Sequence, residues 1–113
     1  MKNEHEILLV ITNLPDRASA ERIAVTLVTE GVAACVNVLA ECTSVYHWQA
    51  KIERATEVPL LIKTTRAAYP QLEVVLRELH PYEVPEIIAL PVSAGLPEYL
   101  NWVAQETQAR NKT

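Results

Sequence analysis

Ile7-Leu8-Leu9-Val10-Ile11, followed by Asn13-Leu14-Pro15-Asp16 and by a helical pattern that stops at Gly31, is the stretch that decides how this chain folds. The first five residues are continuous and β-branched-rich, the pattern of a strand covered on both faces. Residues 13–16 carry turn chemistry, and Asp16 or Ser19 is placed to cap the helix after them. Ala20, Ile23, Ala24, Leu27 and Val28 then fall at i, i+3, i+4, i+7 and i+8, one apolar stripe with Glu21, Arg22 and Glu30 off it. Gly31 ends the helix in the left-handed conformation that glycine adopts without strain.

Working outward, residues 32–39 are apolar and small, a second strand with Asn37 as its polar interior position. Residues 43–52 alternate Val45, His47, Gln49 against Tyr46, Trp48, Ala50, the period-2 signature of a ribbon with two unlike faces. The polar run 53–57 reads as a loop and 58–65 as a third strand. Pro59 cannot donate to a ladder, which puts that strand's start at an edge or a bulge. Pro70 suits a first helical turn, Leu72, Val75, Leu76 and Leu79 form a second stripe, and His80-Pro81 stops it. Residues 86–92 read as a fourth strand, at an edge because of Pro91. Gly95-Leu96-Pro97 opens a last helix with Tyr99, Leu100, Trp102 and Val103 partly buried, and 111–113 should fray.

That order is α+β. Two βαβ halves with right-handed crossovers give a ferredoxin-like βαββαβ sandwich, with an extended ribbon and a C-terminal helix added. The chain reads as one domain over 1–113, its core about 7–104. Helices cover one face of such a sheet and leave the other bare. That face, rich in Ile, Val, Leu, Ala and Cys, is expected to be buried against further copies of the chain.

Composition removes several function classes. With only two glycines, Gly31 and Gly95, a Walker loop or a GxGxxG fingerprint is impossible. A net charge of −4 argues against nucleic acid as a partner, since displacing counterions from phosphates takes a dense basic face. No apolar run exceeds the five residues of Ile7 to Ile11, far short of the roughly 20 residues of a membrane span, so no membrane partner is expected. Residues 1–6 carry no apolar run followed by small residues, so no secretory signal is expected. Cys35 and Cys42 lie seven apart in predicted strands and read as reduced thiols of a cytoplasmic protein, Cys35 as a small hydrophobe.

Chemistry-bearing residues are sparse. Ser19, Ser44 and Ser93 sit in no nucleophile motif and Asp16 is the sole aspartate, so the chain reads as no enzyme. An acylphosphatase-like loop would need an arginine with a nearby asparagine, a pattern that residues 13–17 do not follow. His5, His47 and His80 are far apart and form no metal motif, but His80 with Glu83 or Glu86 offers a nitrogen and a carboxylate to Cu²⁺ or Zn²⁺. The run His80-Pro81-Tyr82-Glu83-Val84-Pro85-Glu86 is stiff, either a site or a rigid connector. Tyr46-His47-Trp48 puts amphipathic aromatics on an arm, which favours a protein interface over a ligand stack.

Five motifs taken together resemble the CutA family of divalent-cation tolerance proteins. They are Ala33-Ala34-Cys35-Val36-Asn37; Ser44-Val45-Tyr46-His47-Trp48 leading to Lys51-Ile52; Glu57 with Ile62-Lys63-Thr64; His80 through Ile87; and Tyr99-Leu100 with Trp102. The resemblance covers about 7–104. It implies a compact homotrimer related to the PII signalling proteins and a link to copper tolerance. Enterobacterial members carry a cysteine ligand near the end of the first strand and a His-His pair before the proline. Ile11 and Leu79-His80 stand there in this chain, so of that set only His80 carries over. Ala50 stands where the family usually has a glycine.

The expected protein is therefore a non-enzymatic homotrimer of metal tolerance that requires no cofactor. Cu²⁺ would bind weakly at His80, Glu83 and Glu86, while Tyr46 and Trp48 serve the trimer contact and Lys63 and Tyr82 line an inter-subunit cleft. The rival expectation is a PII-like sensor that holds a small anionic metabolite in those clefts.

Overall fold

The computed structural model describes residues 6–108. The elements come in the order β1 (Ile7–Leu14), α1 (Arg17–Thr29), β2 (Cys35–Val38), β3 (Cys42–Trp48), β4 (Lys51–Thr65), α2 (Tyr69–Leu79), β5 (Ile88–Pro91) and α3 (Pro97–Glu106). The fold is α+β, with the strands in the order β2-β4-β1-β5 and every pairing antiparallel. Residues 111–113, expected to fray, and His5 lie outside the described residues.

The longest strand departs most from the sequence expectation. Residues 53–57 are not a loop: β4 runs unbroken for 15 residues, its first half paired with β3 and its second half held between β1 and β2. Glu53, Arg54 and Thr56 face Tyr46, Val45 and Thr43 across the ladder. Neither face of this ribbon is deeply buried, so ladder hydrogen bonds, not apolar alternation, hold polar residues in strand geometry. Pro59 likewise sits inside the strand. Its carbonyl accepts from Leu39 N at 3.0 Å, so its nitrogen points to the same side, just where β2 has ended and needs no donor.

The β3–β4 turn is made by Gln49 and Ala50 at φ 52° and 67°, with Trp48 paired to Lys51. A two-residue turn with both φ positive is the type I′ hairpin that Asn-Gly normally makes. Here two side-chain-bearing residues hold it, each at a steric cost of about 1–2 kcal/mol.

The first helix forms as its stripe requires. Asp16 Oδ1 accepts from Ser19 N at 2.7 Å, and that bond holds the Asp16 carboxyl below its ordinary range. At the other end Gly31, at φ 78°, donates to Val28 O while Val32 N reaches Leu27 O, a Schellman closure. Pro70 sits in the first turn of α2 and His80 leaves that helix in extended geometry, as expected before Pro81. The second strand is shorter than the apolar run that announced it. Val32, Ala33 and Ala34 are buried as a connector, with Thr64 Oγ1 donating to Val32 O at 2.7 Å.

Alternate residues of the sheet have different fates. Val10 and Leu14 on β1 and Val58, Leu60 and Ile62 on β4 pack under α1 and α2 with Ile23, Leu27, Leu72 and Leu76. Each such side chain contributes about 1.5–3 kcal/mol by burial. Thr12 Oγ1 is buried on this face without a hydrogen-bond partner among the described residues. The intervening Leu9, Ile11 and Leu61 are only half-buried, so β1 is not covered on both faces. Nor is that second face wholly bare. At one end α3 closes it, with Val103 packed on Ile7, Ala34, Val92 and Leu100. Beyond α3, Ile88 and Leu90 of the edge strand β5 remain exposed.

Candidate functional site

His80 caps α2 in extended geometry just before Pro81 and lies against the end of β1, at Asn13. His80 is 7% exposed, and its Nε2 lies 2.8 Å from Asn13 O while Nδ1 accepts from Tyr82 N at 3.2 Å. A carbonyl on one nitrogen and an N–H on the other fix the neutral tautomer, protonated at Nε2. Burial pushes the imidazole pKa below its ordinary value, against the opposing pull of the Asn13 carbonyl and the Glu57 charge.

The Tyr82 ring tilts against the imidazole with centroids 4.9 Å apart. Its hydroxyl donates to Glu57 Oε2 at 2.9 Å, and Ser44 Oγ donates to Glu57 Oε1 at 2.5 Å. Burial, together with the Glu57 carboxylate, pushes the phenol up to about 12. Glu57 thus ties the 80–86 loop to the base of the ribbon. Asn13 makes a second tie: its carbonyl accepts from His80, and its Nδ2 donates to Glu86 Oε1 at 3.1 Å. The loop is held by both β1 and β4.

The expected residues therefore divide among three places. His80 and Glu86 meet through Asn13, whereas Glu83 points to solvent, and no three His, Cys, Asp or Glu side chains gather as a ligand set among the described residues. Tyr46 and Trp48 are exposed on the ribbon, beside Val45 and Ile52. Lys63 and Tyr82 do not share a site within one chain. Tyr82 stands at Glu57 and Lys63 six residues further along β4, about 20 Å away at strand rise. Lys63 Nζ instead donates to Asn37 Oδ1 and lies 4.0 Å from Cys35 Sγ. Cys35 and Cys42 are free thiols.

Asn13, Ser44 and Glu57 carry much of the site's hydrogen bonding; sequence reasoning placed Asn13 in a turn and Ser44 and Glu57 among the family motifs, but gave none of them a part in the site. Their partners stand 13 to 73 residues away, a distance that no local spacing reveals. The one local clue to the turn of the ribbon was Ala50, which stands where the family usually has a glycine and which the structure holds at φ 67°.

The class is thus a small α+β fold of antiparallel sheet and, among the described residues, three helices, with a polar loop clamped at one end of the sheet and a half-open second face. Residues 8–106 match the CutA1 divalent ion tolerance protein family, and the chain belongs to it. It is 44% identical over 99 residues to the divalent-cation tolerance protein CutA of Thermus thermophilus, covering 88% of this chain and 96% of that one. The solved Cut A1 structure from Thermus thermophilus superposes with a TM-score of 0.88 at 43% identity, over 90% of this chain and 99% of that one. Protein CutA of Mus musculus is 46% identical over 95 residues, 84% of this chain but 54% of the longer mouse protein. A structure from Archaeoglobus fulgidus, described as periplasmic, superposes with a TM-score of 0.87 at 32% identity, over 90% and 99% of the two chains. No helix of the described residues is long and apolar enough to cross a membrane.

Proposed function

We propose that this chain is a non-enzymatic, cytoplasmic homotrimer of divalent-cation tolerance, in which a ferredoxin-like sheet turns its uncovered face toward other copies and His80 takes Cu²⁺ weakly. The observation that carries the metal reading is the His80 tautomer. Its Nε2–H is fixed on the Asn13 carbonyl at 2.8 Å, the outer partner that metal-bound histidines commonly have. Its Nδ1 lone pair is held by one 3.2 Å bond from the Tyr82 N–H, which a cation would have to displace. The lowered pKa keeps protons from competing for that lone pair near neutrality. Glu86, on the other side of Asn13, and Glu83 would supply carboxylate oxygen. Two kinds of hard and borderline donor without a thiolate fit weak Cu²⁺ or Zn²⁺ binding and no tight site.

Half-buried Leu9, Ile11 and Leu61, with exposed Ile88 and Leu90, support the assembly, and Tyr46 and Trp48 on the ribbon would reach a neighbouring copy. Two free thiols suit a reducing compartment. Titration calorimetry with Cu²⁺ on the protein and on His80→Ala tests the metal site. Loss of the heat in the variant supports it, and unchanged affinity removes His80. Light scattering tests the assembly, which predicts a mass near three times the 12.6 kDa chain at micromolar concentration.

A second reading, a PII-like signalling trimer that binds a small anion in clefts between copies, is favoured by one observation. The Lys63 ammonium has no carboxylate partner, since the ion pairs among the described residues are Arg17–Glu21 and Arg66–Glu6.

A further inference from the structure

Lys63 is the cation of the uncovered sheet face. Its ladder neighbours are Leu9 on β1 and Cys35 on β2, and one step along the same face Leu61 lies between Ile11 and Asn37. Its three N–H donors meet two neutral groups, Asn37 Oδ1 and, at 4.0 Å, Cys35 Sγ. A half-buried ammonium among leucine and isoleucine without a counterion is costly, and the cost grows if the face is covered.

The surroundings are built from donors. Asn37 Oδ1 accepts from Lys63 Nζ, which leaves the Asn37 Nδ2 hydrogens without a partner among the described residues. The Tyr99 hydroxyl stands beside the Cys35 thiol, and burial together with a bond donated to that sulfur pushes its pKa up; sulfur is a weak acceptor, so a carboxylate oxygen would take the O–H from it. Tyr99 stacks on Trp102 with centroids 5.7 Å apart, and both rings are about two-fifths exposed, at 40% and 42%. One cation, two neutral donors and an aromatic shelf answer a group with one negative charge, several lone pairs and an apolar body.

We propose that Lys63, Asn37 Nδ2 and the Tyr99 hydroxyl form a binding site for a small organic carboxylate, whose apolar body lies on the Tyr99–Trp102 stack. The site deepens the sensor reading above by naming its ligand class and two further ligand-binding residues. A dianionic phosphate ester fits less well, because the site offers a single positive charge.

The probes are benzoate, its neutral analogue benzamide and inorganic phosphate, titrated calorimetrically into the full chain, Lys63→Met and Tyr99→Phe. Benzoate is expected to bind in preference to both others, with an affinity that falls as salt rises, at least tenfold more weakly in Lys63→Met and several-fold more weakly in Tyr99→Phe. No benzoate binding by the unmodified chain, or equal binding by Lys63→Met, overturns the site. Light scattering on the same samples separates the two readings. A single chain that binds benzoate through Lys63 keeps the site and loses the assembly. A trimer that ignores benzoate and dissociates on Lys63→Met overturns the site, because a second copy's carboxylate then neutralises the ammonium.

Discussion

Leu60 and Leu61 are consecutive on β4, yet they occupy opposite physical situations. Leu60 is fully buried beneath α1 and α2, while Leu61 lies half-buried on the face that no helix covers away from α3. The contrast teaches that this sheet stabilises the chain chiefly through one face and leaves much of the other open beyond α3. Lys63, Asn37 and Cys35 lie on that second face, partly open to solvent; on the first, the Thr12 hydroxyl is buried without a hydrogen-bond partner among the described residues. Leu60→Ala should cost about 2–5 kcal/mol of unfolding free energy, read from the urea midpoint at constant m. Leu61→Ala should leave a dissociated chain within about 1 kcal/mol of the original and lower the assembled mass at a given concentration. Equal losses in the two variants would mean that both faces are sealed within one chain.

The 80–86 loop sharpens the comparison, because it closes the sheet end with hydrogen bonds where the helix face uses apolar contact. His80→Ala strips the donor from the Asn13 carbonyl and should cost about 1–3 kcal/mol at pH 8. The pH dependence gives a separate signature. The folded chain holds the His80 pKa below 6.5, so the unfolded chain takes up the proton first. This contribution is fully present above pH 6.5 and is lost as the pH falls toward the folded value. Urea midpoints at pH 8, 6.5 and 5 should show that loss in the original protein and a smaller one in His80→Ala. Parallel curves would show that the acid limb belongs to other groups.

The helix face was legible in the sequence because its signals are local. A stripe at 20, 23, 24 and 27, a cap at Asp16 and a stop at Gly31 each arise from residues within one or two turns. The family resemblance was equally legible, since it rests on runs of residues. Long-range pairing was not. Residues 53–57 look like a loop until β3 is laid beside them, and α3 reaches the open face with a helix whose destination its own pattern does not encode. The site was half legible. The His80–Glu86 run announced itself by stiffness, whereas Glu57 became its anchor only when a strand 25 residues earlier passed beside Tyr82.

The ribbon is the third case, with no deeply buried face at all, and the smallest effect belongs there. Gln49 and Ala50 hold a turn that glycine makes without strain, and the ribbon that hangs from it carries Tyr46 and Trp48 in water. Ala50→Gly relieves a left-handed alanine but adds freedom to the unfolded chain, leaving a gain of about 1 kcal/mol. Because the ribbon packs under no helix, it opens locally, and the gain should appear in amide exchange of β3 and not in the global midpoint. Exchange from Tyr46 and Trp48 should slow about fivefold, the factor that 1 kcal/mol gives. An equal shift of the global urea midpoint would show that the ribbon unfolds with the helix-covered face, and that the two regions are one cooperative unit.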